Sequence, residues 1–320
     1  MRTAASLAVA LALTCVCAPA VAQQYPQKPV RLIVASAAGG GVDVLARIIG
    51  PKLGELSGQP VIVDNRPGAG STIGYEYGIR SAPDGYTLTL ITPSYTINPS
   101  FYPLKFDALA DFTPITLVAR FPHVIVVHPS LPARSIRELI ALAKGNPGSI
   151  TFGSSGQGAI VHLTTEVFLD RAGIRMTHVP YRGGAPALTD VIAGQISMVF
   201  ATPQTSLPHV KAQRVRALAV TTKERLPAEP AIPTVAEAGL PGFDMSSWHG
   251  LIGPRGLPQA VVERVNHDVG QVIRMKEVDA RMQASGVSPA GSSPEEMRTL
   301  VQREVSIWKE VISRTGVKVQ

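Results

Sequence analysis

Serine and glycine residues are concentrated in one stretch, Ile150–His162, whose composition suits the binding of an anion. The stretch predicts a short strand that runs into a loop, Gly153–Gly158, and then into the first turn of a helix. A loop with few Cβ atoms can direct successive N–H groups toward one point, and a helix start adds unpaired N–H groups and a positive dipole end. Hydroxyl groups at Ser154 and Ser155 would add further donors. We therefore predict that this loop holds a carboxylate or a similar anion.

A second loop of the same kind lies near the start of the chain. The apolar run Val30–Ser36 predicts a strand buried on both faces, and the small residues 37–41 and a helix follow it. Two such loops favour ligand binding over two unrelated tight turns, because ligands of α/β sheets bind outside the carboxyl ends of the strands. The sequence allows two roles for Asp43. Its carboxylate is stabilised by the dipole of the helix that it begins, or it binds a cationic group of the ligand.

Hydrolysis is the rival chemistry for the Ser/Gly loop. The loop misses the spacing of a nucleophile elbow by one residue. A serine nucleophile at Ser154, Ser155 or Ser71 would need a histidine and a carboxylate beside it, and His162 with Glu166 one turn later are the nearest candidates. The simpler interpretation of His162 is that it packs against the loop and steadies it. We expect a binding protein and no enzymatic activity.

A third strand end carries an arginine. Tyr181, Arg182 and two glycines follow a predicted strand, which places a guanidinium group beside another loop. Arginine can bind a carboxylate through two hydrogen bonds, and an Arg182 that points into solvent is the alternative. The seven histidines show no metal-ligand spacing, and the phosphate-binding glycine motifs are absent. We expect neither a metal nor an organic cofactor.

The first residues predict an export signal. The apolar run Ala4–Val16 is too short to span a membrane, and small residues allow cleavage after Ala22. Cleavage there would leave 320 − 22 = 298 residues without a cysteine, because Cys15 and Cys17 both lie inside the signal. The formal charge of +7 comes from scattered Lys and Arg residues. An exported protein with such a surface is not expected to bind nucleic acid.

Strands and helices alternate from residue 25 onward, which predicts parallel α/β layers throughout. The stretch Ile115–His128, broken at Pro122, predicts a crossing between two lobes, and Trp248 begins the return strand, where it lines the cleft or fills the hinge. Gly50 and Pro51 are expected to kink or interrupt the first helix, residues 226–242 form a connector, and two helices close the chain on the first sheet. The predicted organisation is a signal peptide at 1–22, a discontinuous domain at 23–125 plus 248–320, and a second domain at 126–247.

Short motifs spread over the whole mature chain resemble those of one family. They include Asn65-Arg66-Pro67-Gly68-Ala69-Gly70, Pro83-Asp84-Gly85-Tyr86-Thr87-Leu88, His178-Val179-Pro180-Tyr181 and Ala236-Glu237-Ala238-Gly239. No single motif is specific, but the set resembles the substrate-binding proteins of tripartite tricarboxylate transporters, also called the Bug family of extracytoplasmic solute receptors. Ala159 departs from the family pattern, in which Thr or Ser is common, and the change removes one hydroxyl donor.

The resemblance implies a type II periplasmic binding protein with two α/β lobes joined by a two-strand hinge. Its cleft would hold a small organic acid and deliver it to the integral membrane components of a tripartite transporter. A carboxylate sensor that feeds a signalling partner is the alternative. We further expect a periplasmic monomer without stable membrane insertion. With the residues already singled out, the candidate ligand-binding residues are Ser36, Ala37, Ala38, Gly39, Gly40, Asp43, Thr92, Ser94, Tyr95, Ser154, Ser155, Gly156, Gln157, Gly158, His162, Tyr181, Arg182, Gly183 and Thr202.

Overall fold

Two β-sheets organise the chain in the computed structural model, which describes residues 25–315. The signal peptide predicted at 1–22 lies outside these residues. The first sheet contains β1 (Val30–Val34), β2 (Val61–Asn65), β3 (Thr87–Ile91), β4 (Phe112–Pro122), β10 (Ser246–Pro254) and β11 (Ser288–Pro289), in the order β11-β4-β10-β3-β1-β2. The second sheet contains β5 (Val124–Val127), β6 (Thr151–Ser154), β7 (Thr177–Pro180), β8 (Met198–Ala201) and β9 (Arg216–Val220), in the order β7-β6-β8-β5-β9.

Helices pack around each sheet and complete two α/β lobes. The helices of the first lobe are α1 (Gly41–Ser57), α2 (Thr72–Ile79), α3 (Ser94–Ile97), α9 (Gln259–Val272), α10 (Lys276–Ala284) and α11 (Pro294–Thr315). Those of the second lobe are α4 (Ile136–Gly145), α5 (Ile160–Ala172), α6 (Gly184–Ile192), α7 (Pro203–Lys211) and α8 (Val235–Ala238). No helix within residues 25–315 is long and apolar enough to cross a membrane.

Alternating residues of the first sheet supply two apolar cores. Leu88 and Leu90 of β3 join the core that α1, α9 and α10 cover. Ile91 and Trp248 join the core that α2, α3 and α11 cover. Because successive side chains of a strand point to opposite faces, helices bury both faces of this sheet. The expectation that the last helices cover the first sheet is confirmed for α9, α10 and the first part of α11; it is wrong for the end of α11, where Trp308 joins the core of the second lobe.

The chain crosses between the lobes at two places that one threonine ties together. β4 ends at Pro122 and β5 begins at Val124, so the break expected at Pro122 falls at His123. The Thr221 hydroxyl accepts a hydrogen bond from the His123 N–H at 2.9 Å and donates one to the Met245 carbonyl at 2.6 Å. Backbone bonds of 3.0 and 2.7 Å join Thr221 to the same two residues. The outward and return segments are therefore held side by side where the lobes meet.

The prediction of parallel sheets throughout is wrong. β1 runs parallel to β2 and β3, and β6 runs parallel to β7 and β8. In contrast, β10 is antiparallel to β3 and β4, β11 is antiparallel to β4, and β5 is antiparallel to β8 and β9. The reason is the crossing: β4 leads out of the first lobe and β10 leads back into it, so these neighbours must run in opposite directions.

Three local predictions also need correction. Helix α1 continues through Pro51 without interruption. Both Pro51 and Arg47 are exposed, so the carbonyl that loses its helical partner lies on the solvent side. The connector 226–242 contains α8, whose capping box joins Thr234 and Glu237. Three helices follow the return strand, where two were predicted. The additional helix is α10, which buries only Val278 and Met282 and therefore has a weak apolar pattern.

Candidate functional site

A cavity of about 300 Å³ lies between the lobes, at the carboxyl ends of strands from both sheets. The predicted residues that line it are Ser36, Gly40, Thr92, Ser94, Ser155, Gly156, Gln157, Tyr181, Arg182, Gly183 and Thr202. The predicted residues that do not line it are Ala37, Ala38, Gly39, Asp43, Tyr95, Ser154, Gly158 and His162. Gly41 of the first glycine loop, Gly70 of the Asn65–Gly70 motif and Ser71, a candidate nucleophile, also line it. Lining residues that the sequence did not single out include Tyr75, Tyr102, Phe121, His123, Ile160, Phe200, Ser247 and His249.

Asp43 holds the first glycine loop in shape from behind. Its carboxylate accepts a hydrogen bond from the Gly39 N–H at 2.8 Å and contacts the Arg47 Nε at 3.0 Å. Burial raises the pKa of Asp43, but the hydrogen bonds from Arg47, Gly39 and Asn65 outweigh it, so the pKa is lowered. The group is thus ionised and already paired within its own loop. This geometry fits the helix-start interpretation of Asp43, which is not among the residues that line the cavity.

The rear of the Ser/Gly loop is organised by two histidines. The Ser154 hydroxyl lies 2.7 Å from His178 Nε2 and accepts a hydrogen bond from the Gly156 N–H. His162 Nδ1 accepts one from the Gly158 N–H at 3.1 Å. The rings of His162 and His178 stack with centroids 3.9 Å apart. These contacts leave residues 155–157 as the part of the loop that faces the cavity. The hydrogen bond to His162 agrees with the simpler interpretation, in which this histidine stabilises the loop.

The same contacts argue against a serine nucleophile. Ser154 is fully buried, and it does not line the cavity. Burial, together with His162, lowers the pKa of its partner His178 to about 3. No hydrogen bond within residues 25–315 joins Ser155 to a histidine. The described residues therefore bring no serine, histidine and carboxylate together at the cavity.

Helix starts around the cavity lack side-chain caps. The residues at the N-caps of α1, α5, α6 and α7 are Gly40, Ala159, Gly183 and Thr202, and none makes a capping hydrogen bond through its side chain within the described chain. Helices α4 and α8, which start away from the cavity, are capped by Ser135 and Thr234. An uncapped helix start keeps N–H groups available to an anion. Helices α9 and α10 also start away from the cavity and lack side-chain caps, at Pro258 and Met275, so it is the shared position of these helix starts at the cavity, and not the missing caps, that suits a ligand.

Glycines allow backbones of the two lobes to meet around the cavity. Gly156 has φ +139°, and a Cβ atom there would lie 3.3 Å from Gly70 Cα of the other lobe. Gly183 has φ +132°, and a Cβ atom there would lie 3.2 Å from the Ala37 Cβ. A larger side chain at either position would have to push the lobes apart. The glycine loops thus form the closing contacts of the cavity.

Two hydrogen bonds also cross between the lobes at the cavity. The Tyr102 hydroxyl donates to the Gln157 carbonyl at 2.5 Å. The Ile160 N–H, at the start of α5, donates to the Ser94 hydroxyl at 3.1 Å. Both join the Ser/Gly loop region to the segment that follows β3. The structure therefore has its lobes in contact over the cavity.

The inner wall of the cavity is built from strands. Ser247 and His249 lie two residues apart on β10 and so share one face of the first sheet, and Phe121 of β4 pairs with Ser247. His123 follows in the link to β5. We call Phe121, His123, Ser247 and His249 the strand floor. The sequence analysis did not predict the strand floor. The polar residues Ser247 and His249, which alternate with Trp248 on the predicted return strand, were a signal for it. Trp248, between the two β10 residues, lies in the core on the other face and does not line the cavity.

The cavity carries little charge. Among its lining residues, all of which belong to the described part of the chain, Arg182 alone has a formally charged side chain. Arg182 is exposed, which fits a position at the cavity mouth. No group of three or more His, Cys, Asp or Glu residues within 25–315 could hold a metal ion. An anion would accordingly be held mainly by backbone N–H and hydroxyl donors.

Three kinds of comparison with known proteins point to the same family. The model of the tripartite tricarboxylate transporter family receptor matches residues 45–317. Protein BugT of Bordetella pertussis is 33% identical over 322 residues, covering 100% of this chain and 99% of BugT. An R. palustris protein solved with adipate is 34% identical with a TM-score of 0.89, and the match covers 92% of this chain and 99% of that one. MatC from Rhodopseudomonas palustris, solved with bound malate, is 28% identical with a TM-score of 0.85, covering 90% and 100%.

These matches extend over both lobes rather than over one motif. They confirm the resemblance seen in the sequence and the fold class of a type II periplasmic binding protein with two α/β lobes. The chain belongs to the receptor family of the tripartite tricarboxylate transporters, whose Bug proteins are among its relatives.

Proposed function

We propose that this receptor captures a small organic acid in the cavity between its lobes and delivers it to the integral membrane components of a tripartite transporter. The observation that carries the proposal is the convergence of four helix starts from both lobes, those of α1, α5, α6 and α7, on one cavity between the lobes. The protein would be exported, cleaved after Ala22 and act in the periplasm as a monomer. Its moving units would be residues 23–125 plus 248–320 and residues 126–247.

Neutral donors suit reversible capture of an acid. Each helix start presents N–H groups and the equivalent of about half a positive charge, and Ser36 of the first lobe and Ser155 and Thr202 of the second also line the cavity. Ordered water can bridge donors that do not reach the ligand directly. A carboxylate bound in this way is desolvated without a buried salt bridge, so it can be released when the lobes open. No step of catalysis is required, and we propose none.

Two of the similar structures support the choice of ligand class. One was solved with adipate and MatC with malate, and both of these ligands are small carboxylates. A cavity of about 300 Å³ is at the lower end of the range for small-molecule sites. We infer that the ligand of this chain is a carboxylic acid of similar size.

A thermal-shift screen tests the proposal. The panel contains aliphatic mono-, di- and tricarboxylates, aromatic acids and amino acids, each beside its uncharged amide. An acid at 100 times its dissociation constant adds about 2.7 kcal/mol to the free energy of unfolding, which raises the melting temperature by several degrees. We expect at least one acid, and not its amide, to do so. A panel in which no acid shifts the melting temperature contradicts the proposal.

A further inference from the structure

Three side chains of the strand floor have polar atoms without a partner. Both ring nitrogens of His123, both ring nitrogens of His249 and the hydroxyl of Ser247 are buried and make no hydrogen bond to any other residue of the described chain. Each of these residues is 1% exposed. A buried polar group that stays unpaired lowers stability. Because the side chains that carry these atoms also line the cavity, a ligand seated there is the partner that we consider for them.

The strand floor is electrically neutral. Burial lowers the pKa of His123 to about 4, and burial with the nearby His123 lowers the pKa of His249 to about 3. Both rings are uncharged near pH 7, and each then offers one donor and one acceptor nitrogen. The Ser247 hydroxyl also donates and accepts. Arg182 belongs to the loop wall, so no charged side chain of the lining lies on the floor.

This chemistry discriminates between ligand ends. A second carboxylate against this wall would lose its hydration without the helix-start N–H groups and dipole ends that stabilise the first one. It would also leave the acceptor nitrogen of each imidazole unpaired, because a carboxylate has no hydrogen to donate. A hydroxyl or an amide both donates and accepts. The Phe121 ring, 4.4 Å from that of His249, gives the carbon skeleton an apolar contact beside the polar atoms.

We propose that the strand floor is the subsite for the far end of the ligand, and that it selects an acid whose far end is an uncharged hydroxyl or amide group instead of a second carboxylate. The proposal rests on the proposed function, since the glycine loops must hold the first carboxylate. It narrows the ligand class to monocarboxylic acids with a hydrogen-bonding group at the opposite end.

Matched acids test the floor separately from the loops. Each set shares one skeleton and one carboxylate and differs only at the far end, which is methyl, hydroxyl, amide or carboxylate. Short straight chains and para-substituted benzoates supply the skeletons, and calorimetric titration measures the dissociation constants. For a skeleton that fits, we expect the hydroxyl or amide form to bind about tenfold more tightly than the methyl and dicarboxylate forms.

Floor variants assign the preference to named groups. His249→Phe keeps a ring beside Phe121 and removes both nitrogens, so we expect the hydroxyl form to lose its advantage over the methyl form. Ser247→Ala is the smaller change, and in this variant the hydroxyl form should lose part of its advantage over the methyl form. If His249→Phe misfolds, the affinity ratio of Ser247→Ala tests the floor instead. Thr164→Val is the matched control, because the Thr164 hydroxyl is also buried and unpartnered within the described chain but does not line the cavity. Its ratio of affinities should equal that of the wild type.

The outcomes separate the two proposals. A wild-type protein that binds the dicarboxylate form most tightly, or floor variants that keep the wild-type ratios, would overturn the role of the strand floor and leave the proposed function standing. If no acid of any set binds, the proposed function itself fails, and the subsite proposal fails with it.

Discussion

Gly156 is the residue at which the Ser/Gly loop meets the other lobe. Its φ of +139° is a conformation that residues with a side chain rarely adopt, and Gly70 Cα and the Tyr181 carbonyl would lie 3.3 and 3.6 Å from a Cβ atom. A side chain at this position would therefore strain the loop and obstruct the closed arrangement together. Gly173, at the end of α5, also has positive φ, but no heavy atom lies within 4 Å of its Cβ position.

Gly156→Val is predicted to abolish the rise in melting temperature that a bound acid produces. The backbone strain alone should cost about 1–3 kcal/mol of stability, and the blocked contact should prevent closure. Gly173→Val is the control, because it carries backbone strain away from the cavity and should keep the ligand-induced shift. A full shift in Gly156→Val would remove the Ser/Gly loop from the site.

The buried histidines of the strand floor predict a loss of stability in acid. Their pKa values in the folded protein, about 4 for His123 and about 3 for His249, lie below the unfolded value of about 6.5. The free energy of unfolding therefore has its full value above about pH 6.5 with respect to these two groups. It falls as the pH drops toward 4, because in this range mainly the unfolded chain takes up these protons. The slope is at most about 1.4 kcal/mol per pH unit for each histidine.

Urea unfolding between pH 7.5 and 4.5 measures this dependence. His249→Phe removes one of the two groups, so its free energy of unfolding should fall less steeply with decreasing pH than that of the wild type. Equal slopes for the two proteins would mean that His249 titrates normally in the folded state.

At the residue scale, sequence could locate the glycine loops but not every group that faces the cavity. Loops rich in glycine and serine are visible in the sequence, and Ser155, Gly156 and Thr202 do line the cavity. Asp43 and His162 do not, because both are used within their own loops. Their roles depend on where the neighbouring N–H groups point, and the order of residues does not specify this.

At the element scale, Thr221 joins the two segments that cross between the lobes. Its hydroxyl is the partner of two backbone groups, the His123 N–H and the Met245 carbonyl. The residue is fully buried, so neither group could turn to water if the hydroxyl were removed.

Thr221→Val should lower the free energy of unfolding by about 1–3 kcal/mol for each backbone group left unpaired. Thr165→Val is the control: Thr165 is also fully buried, but its hydroxyl only bonds back to the Val161 carbonyl of the same helix, an interaction of little value. Denaturant unfolding of both variants measures the difference. Equal small losses would show that the crossing does not depend on this hydroxyl.

The elements themselves were predicted better than their directions. Apolar runs and glycine loops indicated most strands and the crossing near Pro122, because these signals are local. The antiparallel direction of β5 and β10 depends on which distant strands they pair with. The regular alternation of strands and helices predicts parallel pairing and gives no sign of these two exceptions. Helix α10 was missed because two buried residues, Val278 and Met282, are too few to reveal a period.

At the scale of the whole molecule, capture of an acid requires two lobes that close over one carboxylate. Loops of both lobes supply the donors, and the Tyr102 hydroxyl bond to the Gln157 carbonyl is one contact that only the closed arrangement provides. A ligand that bridges both walls would favour this arrangement by its differential affinity for it. The first carboxylate is therefore the group on which capture should depend most strongly.

Calorimetric titration with the tightest acid of the panel and with the methyl ester of that same carboxylate is the most direct test. Esterification removes the negative charge and adds bulk where the helix starts converge. We expect tight binding of the acid and a loss of at least about a hundredfold for the ester, on the order of 3 kcal/mol. An ester that binds as tightly as the acid would mean that the helix starts do not hold a carboxylate.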